Sequence, residues 1–288
     1  MYKSCKTIAE IGCNHKGDIT IAKELITLAK SCGADVAKFQ KRNSKELLPE
    51  QQYSAPHPNP INSYGDTYGE HREFLEFSKN EHYELLDFCN SIDIIYSTSV
   101  WDVTSAKEIC EINPKLIKVP SASNTHYEML KVLRDDYKGD VHVSFGMTTK
   151  DEQEKLVSFF EEMNQAKNRL IIYSCTSGYP VPFNDVCLLE IKRIKDKFEK
   201  RVKSIGFSGH HLGIAIDMVA YTLGVTWIER HFTKDRTWKG TDHSASLEPA
   251  GFSKLTRDLK AVYKSLSYKE KEILDIELPQ REKLKFFK

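Results

Sequence analysis

Eight short runs rich in Ile, Val, Tyr and Phe, each followed by a helix-like stretch, recur along this 288-residue chain. They fall at residues 7–12, 36–40, 94–99, 116–120, 141–146, 170–175, 204–208 and 227–232. Such runs read as strands, and longer stretches with apolar residues three and four apart read as helices. In 19–32, Ile21, Leu25, Ile26 and Leu28 oppose Lys23 and Lys30, an amphipathic stripe; 151–165 is a second helix of this kind. The alternation calls for a parallel sheet covered by helices, and eight units is the number that closes. An open doubly wound sheet is the rival, but no GxGxxG turn follows the first strand. The expected fold is α/β, a (β/α)8 TIM barrel over 1–266, with 267–288 as a charged C-terminal tail.

With 42 basic and 41 acidic residues, no net field argues for nucleic acid or an anionic membrane as partner. No apolar run approaches the roughly 18 residues of a spanning helix. The sequence enters its first strand without a signal or transit peptide, so a cytoplasmic protein is expected. Seven cysteines (Cys5, Cys13, Cys32, Cys89, Cys110, Cys175, Cys187) show no CxxC spacing. They read as reduced, mostly buried thiols. Residues 41–77, containing PHPNPINSYGDTYG, interrupt the alternation. A connection of that length in a compact domain is usually a lid or binding loop. Tyr53, Tyr64, Tyr68, Phe74 and Phe77 argue against a disordered insertion.

In a barrel of this type, chemistry gathers at the C-terminal ends of the strands. Two histidines, His210 and His231, stand at the ends of the last two runs. Neighbouring parallel strands bring such ends to about 5 Å, close enough for both imidazoles to meet one metal ion. The alternative is a pair of satisfied core or rim histidines. His211 would then lie behind the ligands, and His15 is either another ligand or a hydrogen-bonding group. Lys38 and Lys118 each interrupt an apolar strand, where an unpaired ammonium is costly. They suit a cationic pocket among hydroxyls, a Schiff-base nucleophile, or lysines paired to Glu10 or Glu229. Glu10, Glu229 and Asp242 are candidate acids or bases. Asn14, Gln40, Thr98, Ser121, Ser123, Ser144, Ser177, Tyr179 and Ser208 complete the polar set at the strand ends.

The stretches AEIGCNHKGD, ADVAKFQ, YSTS, IKVPS, SFGM, CTSGYPVP, GFSGHH and ERHF occur in this order up to about Leu266. In them the chain resembles the N-acetylneuraminate (sialic acid) synthase family, which condenses phosphoenolpyruvate with an acylamino sugar. The resemblance implies Mn2+ or Mg2+ on His210 and His231. It sets phosphoenolpyruvate against Lys38, Thr98, Lys118, Ser121, Ser144 and Ser208, and sets Gln40, Tyr179 and Asp242 toward the sugar. It also implies attack of phosphoenolpyruvate C3 on the open-chain aldehyde, with phosphate leaving by C–O cleavage.

Two departures stand out. The family's SGE is SAS here, so Ser123 replaces a carboxylate and Glu10, Glu229, Asp242 or a water must move the proton. The family commonly carries a C-terminal antifreeze-like domain that lends an arginine to the neighbouring subunit, and this sequence is expected to lack it. Residues 41–77, with His71 and Arg72, would then close the sugar pocket, and a homodimer through the barrel faces stays open. The expected acceptor is N-acetylmannosamine or a related aldose. The rivals are a pyruvate-type aldolase using Lys118 and a non-catalytic barrel that binds a sugar or metal.

Overall fold

In a computed structural model, which describes residues 2–286, eight parallel strands close into a barrel in sequence order. They are β1 (Lys6–Gly12), β2 (Val36–Lys41), β3 (Ile95–Val100), β4 (Leu116–Val119), β5 (Asp140–Ser144), β6 (Leu170–Cys175), β7 (Ser204–Gly209) and β8 (Trp227–His231). Ring closure pairs β1 with β8, with Glu10 opposite His231. The strands match the expected runs to within a residue or two at each end. Helices lie outside the ring, Ile19–Ser31 and Lys150–Glu161 among them. The second is shorter than expected, because the chain turns at Asn164 (φ 55°) before the short helix Ala166–Arg169.

Alternation along each strand splits the side chains into two populations. The outward set joins the helices in the main core, with Ala9, Ala37, Phe39, Tyr96, Ile117, Val143 and Ile228 all buried. The inward set forms a small apolar floor of Ile8, Val36, Leu116, Ile171, Tyr173 and Trp227. One step further up, the inward positions are Glu10, Lys38, Ser97, Lys118, His142 and Glu229, where a barrel of this kind ordinarily packs branched aliphatics. That exchange of apolar for charged side chains marks where the chemistry sits.

The 41–77 connection is folded. Helices Ser44–Leu47 and Glu50–Tyr53 lead to a 3-10 turn at Pro60–Asn62, and helix Tyr68–Leu75 follows. Thr67 and Glu70 close a capping box at the start of that last helix. Tyr53, Tyr64 and Tyr68 pack within the segment, and Phe77 is buried against His15. Beyond helix Pro249–Ser265 the chain carries a 3-10 turn and a short helix, Leu278–Leu284, with no buried residue. All seven cysteines are unpaired, and only Cys32 and Cys89 are fully buried, fewer than expected. No helix among the described residues is long and apolar enough to cross a membrane.

Candidate active site

The strands' C-terminal ends open into a cavity of ≈ 530 Å³ lined by Glu10, Lys38, Gln40, Lys118, Ser121, Ser144, Ser177, Tyr179, Ser208, His210, Glu229, His231 and Asp242. Thirteen of the candidate residues therefore share one chamber.

Its base is a charged quartet. Lys38 Nζ lies 2.5 Å from Glu10 Oε2 and 3.6 Å from Glu229 Oε2. Lys118 Nζ lies 3.2 Å from Glu229 Oε1 and donates to Ser144 Oγ at 2.6 Å. Ser208 Oγ donates to Glu229 Oε1 at 3.0 Å, and Gln40 Nε2 donates to Glu10 Oε1 at 2.8 Å. Both lysines are thus paired to carboxylates, the third of the readings offered for them, and Lys118 also meets the Ser144 hydroxyl. Burial works against the Lys38 ammonium, but Glu10 and Glu229 outweigh it and its pKa is raised. For Lys118 burial prevails, with Lys38 repelling it, and the pKa is lowered. Burial pushes Glu229 up, yet Lys118, Lys38 and Ser208 hold it far below the usual carboxylate range. Gly12 permits this closeness. It sits at φ 56° where β1 changes register, and a Cβ there would meet Gln40 Nε2 at 3.0 Å, Glu10 Oε1 at 3.2 Å and Asp242 Oδ2 at 3.7 Å.

Above the quartet the His210 and His231 rings face each other with centroids 5.5 Å apart, and Tyr179 leans on both at 4.4 and 5.8 Å. His210 Nδ1 sits 3.0 Å from the Thr176 carbonyl. Donating there, it leaves Nε2 with a lone pair, the tautomer a metal ligand needs. Burial, with His231 beside it, pushes the His210 pKa down to about 3, so the ring is neutral. His231 Nδ1 is buried without a hydrogen-bond partner, 4.0 Å from Asp242 Oδ2. Among the described residues no three His, Cys, Asp or Glu side chains form a ready cage. The two rings offer nitrogen donors of the kind a divalent cation takes, and its remaining ligands would have to come from substrate and water, as at an open catalytic site.

Four expectations move. Thr98 points outward with Tyr96, because Ser97 and Ser99 hold the inward phase of β3 opposite Lys38 and Gln40; Ser99 takes its place in the cavity wall. Ser123 is withdrawn behind Ser121 and Ala122, its hydroxyl donating to the Trp101 carbonyl at 2.9 Å. His211 faces away from the histidine pair into a buried cluster with Arg230 (Nε2 to Nη1 3.0 Å) and Asp217 (3.3 Å). Asn14 donates to the Phe232 carbonyl and is structural. His15 keeps one of its two readings, a hydrogen-bonding group: its Nδ1 accepts from the Gly17 amide at 3.1 Å while the ring stacks on Phe77 at 4.1 Å. Residues 41–77 contribute Arg42, His57, Tyr68 and Arg72 to the cavity wall, and Trp101 follows β3. Of these the sequence marks Arg72 for the sugar pocket and Tyr68 only as an ordering aromatic, since a lone cation or aromatic in a loop has no periodicity to betray it. His71 lies fully buried behind the wall, its ring tilted against that of His57 with centroids 4.3 Å apart.

Comparison with known proteins adds the family. Residues 25–271 match the model of the NeuB family. The chain is 37% identical to human N-acetylneuraminate-9-phosphate synthase, across 97% of this chain and 76% of that protein. It is 31% identical to N,N'-diacetyllegionaminic acid synthase of Campylobacter jejuni, across 92% and 78%. Among solved structures, N-acetylneuraminic acid synthetase of Leptospira borgpetersenii superposes with a TM-score of 0.81 at 29% identity, covering 98% of this chain and 91% of that one.

Proposed function

This chain belongs to the NeuB family, and on that premise we propose that it condenses phosphoenolpyruvate with an aldose, N-acetylmannosamine or a related sugar. The product is a nonulosonic, sialic-acid-like 2-keto-3-deoxy acid, and phosphate is released by C–O cleavage. The observation that carries this reading is the pairing of a lysine–hydroxyl floor with two adjacent imidazoles in one chamber.

Phosphoenolpyruvate fits the floor. Lys118, Ser144 and Ser208, with Lys38 beside them, offer charged and neutral donors to its phosphate and carboxylate. Tyr179, Gln40 and Asp242 line the wall on the way to the mouth and suit the sugar's hydroxyls. His210 and His231 would hold the metal, Mn2+ or Mg2+, and imidazole nitrogens favour the former. When bound, the cation supplies Lewis acidity at the sugar aldehyde. C3 of phosphoenolpyruvate attacks the aldehyde carbon while its double bond shifts. Water adds to the C2 so exposed, and the C2–O bond to phosphate breaks as the keto group forms. Glu229 is a poor base, because two ammoniums and a hydroxyl hold its charge. Glu10 and Asp242 remain to exchange protons with water and with the nascent hydroxyl.

The test is phosphate release from phosphoenolpyruvate with Mn2+, across aldoses headed by N-acetylmannosamine, with an EDTA control. Release that needs both sugar and metal is expected, and metal-independent release would defeat the metal assignment. The lowered pKa of Lys118 favours a second reading, a Schiff-base aldolase. Borohydride trapping with pyruvate decides it, since an adduct on Lys118 would replace the condensation mechanism.

A further inference from the structure

We propose that Tyr173 is a positioning residue for phosphoenolpyruvate binding: its ring carries the Lys118 ammonium, and His142 holds that ring in place. The inference rests on the condensation reading above and deepens it at the phosphoenolpyruvate side.

The inside of a barrel of this kind is ordinarily filled by branched aliphatic side chains. Ile8, Val36, Leu116 and Ile171 keep to that pattern, but Tyr173 in their midst breaks it. Tyr173 is fully buried, and its phenol meets His142 Nδ1 at 2.7 Å. His142, also fully buried, stands opposite Lys118 in the β4–β5 ladder. Its ring is set edge-to-face with Trp227, the centroids 4.8 Å apart, so it has little freedom to turn. Room for the phenol comes from Gly206 on β7, the residue paired with Tyr173, where a Cβ would collide with the ring. A glycine on one side and an imidazole at the hydroxyl thus leave this ring one place to lie.

Lys118 Nζ stands over the same ring, 5.1 Å from its centroid. An ammonium at that distance is drawn to the negative face of the ring, and more strongly where water is excluded. A leucine would fill the space without that attraction. The attraction matters because burial, helped by Lys38, favours loss of the Lys118 proton. The charged and titratable groups facing Lys118 are Glu229 of β8, Lys38 of β2, Glu10 of β1, Cys175 of β6 and His142 of β5. Burial keeps His142 neutral, with its pKa pushed down to about 3, so the group that orients the ring adds no repulsion. Without the ring, Lys118 would lose its charge at a lower pH, and the anionic substrate would lose a cationic partner with it.

Phosphoenolpyruvate should be titrated calorimetrically into the full chain loaded with Mn2+, at neutral and at alkaline pH. Tyr173→Leu should weaken binding at neutral pH by about fivefold or more, and should move the alkaline fall in affinity down by about half a pH unit or more. Tyr173→Phe, which keeps the ring, should move that fall less. His142→Leu frees the ring without removing it and should act in the same direction as Tyr173→Leu, so it reads the contact even if the leucine variant at 173 does not fold. Weakening that is uniform across pH, with the alkaline fall unmoved, would make Tyr173 a packing residue and overturn the proposal. Unchanged affinity in both Tyr173→Leu and His142→Leu would also overturn it. The titration needs no turnover, so the effect of the ring is read even where no sugar condenses. An unmodified chain that does not bind phosphoenolpyruvate would reject the condensation reading itself, and this inference with it.

Discussion

Glu229 touches Lys118, Lys38 and Ser208 at once, so removing any one partner changes the others. Lys118→Met should raise the KM for phosphoenolpyruvate and also destabilise the fold by about 3 kcal/mol, because a buried carboxylate loses its nearer counter-ion. Adding Glu229→Gln should restore most of the stability and none of the turnover; denaturant melts and steady-state kinetics separate the two effects. A single mutant with unchanged KM would remove Lys118 from the anion site. His210→Ala and His231→Ala should each abolish metal-dependent turnover while leaving the thermal melt close to that of the unmodified protein. Full activity in both would refute the metal site. At this scale the sequence was informative where residue type and position are both unusual, such as a lysine inside an apolar strand. It misled where hydroxyls crowd together. In Tyr96–Ser97–Thr98–Ser99 three small polar residues follow one another, and only the bulk of Tyr96 marks which phase faces the helices.

Among the elements, the strands were legible because branched and aromatic runs alternate with amphipathic helices, and pairing in sequence order follows from closure. The interior of 41–77 was not. Its helices are three to eight residues long, too short for a periodic stripe, and they hold together by capping and aromatic contact. One contact is especially tight, since Gly69 packs directly on the Tyr53 ring and leaves no room for a methyl group. Gly69→Ala should push Tyr53 aside and loosen this segment without touching the barrel. We expect a higher KM for the sugar, little change for phosphoenolpyruvate, and faster hydrogen exchange confined to 44–75. Equal loss for both substrates would mean that the segment does not serve the sugar side.

For the molecule as a whole, acid should be the sensitive direction. His15, His82 and His142 are buried, and burial pushes each pKa down to about 3 from the ordinary 6.5. Below pH 6.5 the unfolded chain takes up protons that the native state refuses, so stability is full above that pH and falls as pH drops toward 3. Replacing His82 and its partner Tyr96 together by Phe, a pair joined at 2.6 Å, should move the acid-unfolding midpoint downward. An unmoved midpoint would assign acid sensitivity to other groups. Ring closure has a consequence in time. Glu10 pairs with His231 and the Phe232 amide donates to the Glu10 carbonyl, contacts that join the first strand to the last. A chain emerging from the ribosome has its lysines early but gains Glu229 and His231 only with the eighth strand. The reactive mouth therefore comes into being only once the eighth strand joins the first, and a chain without that strand has nowhere to hold substrate.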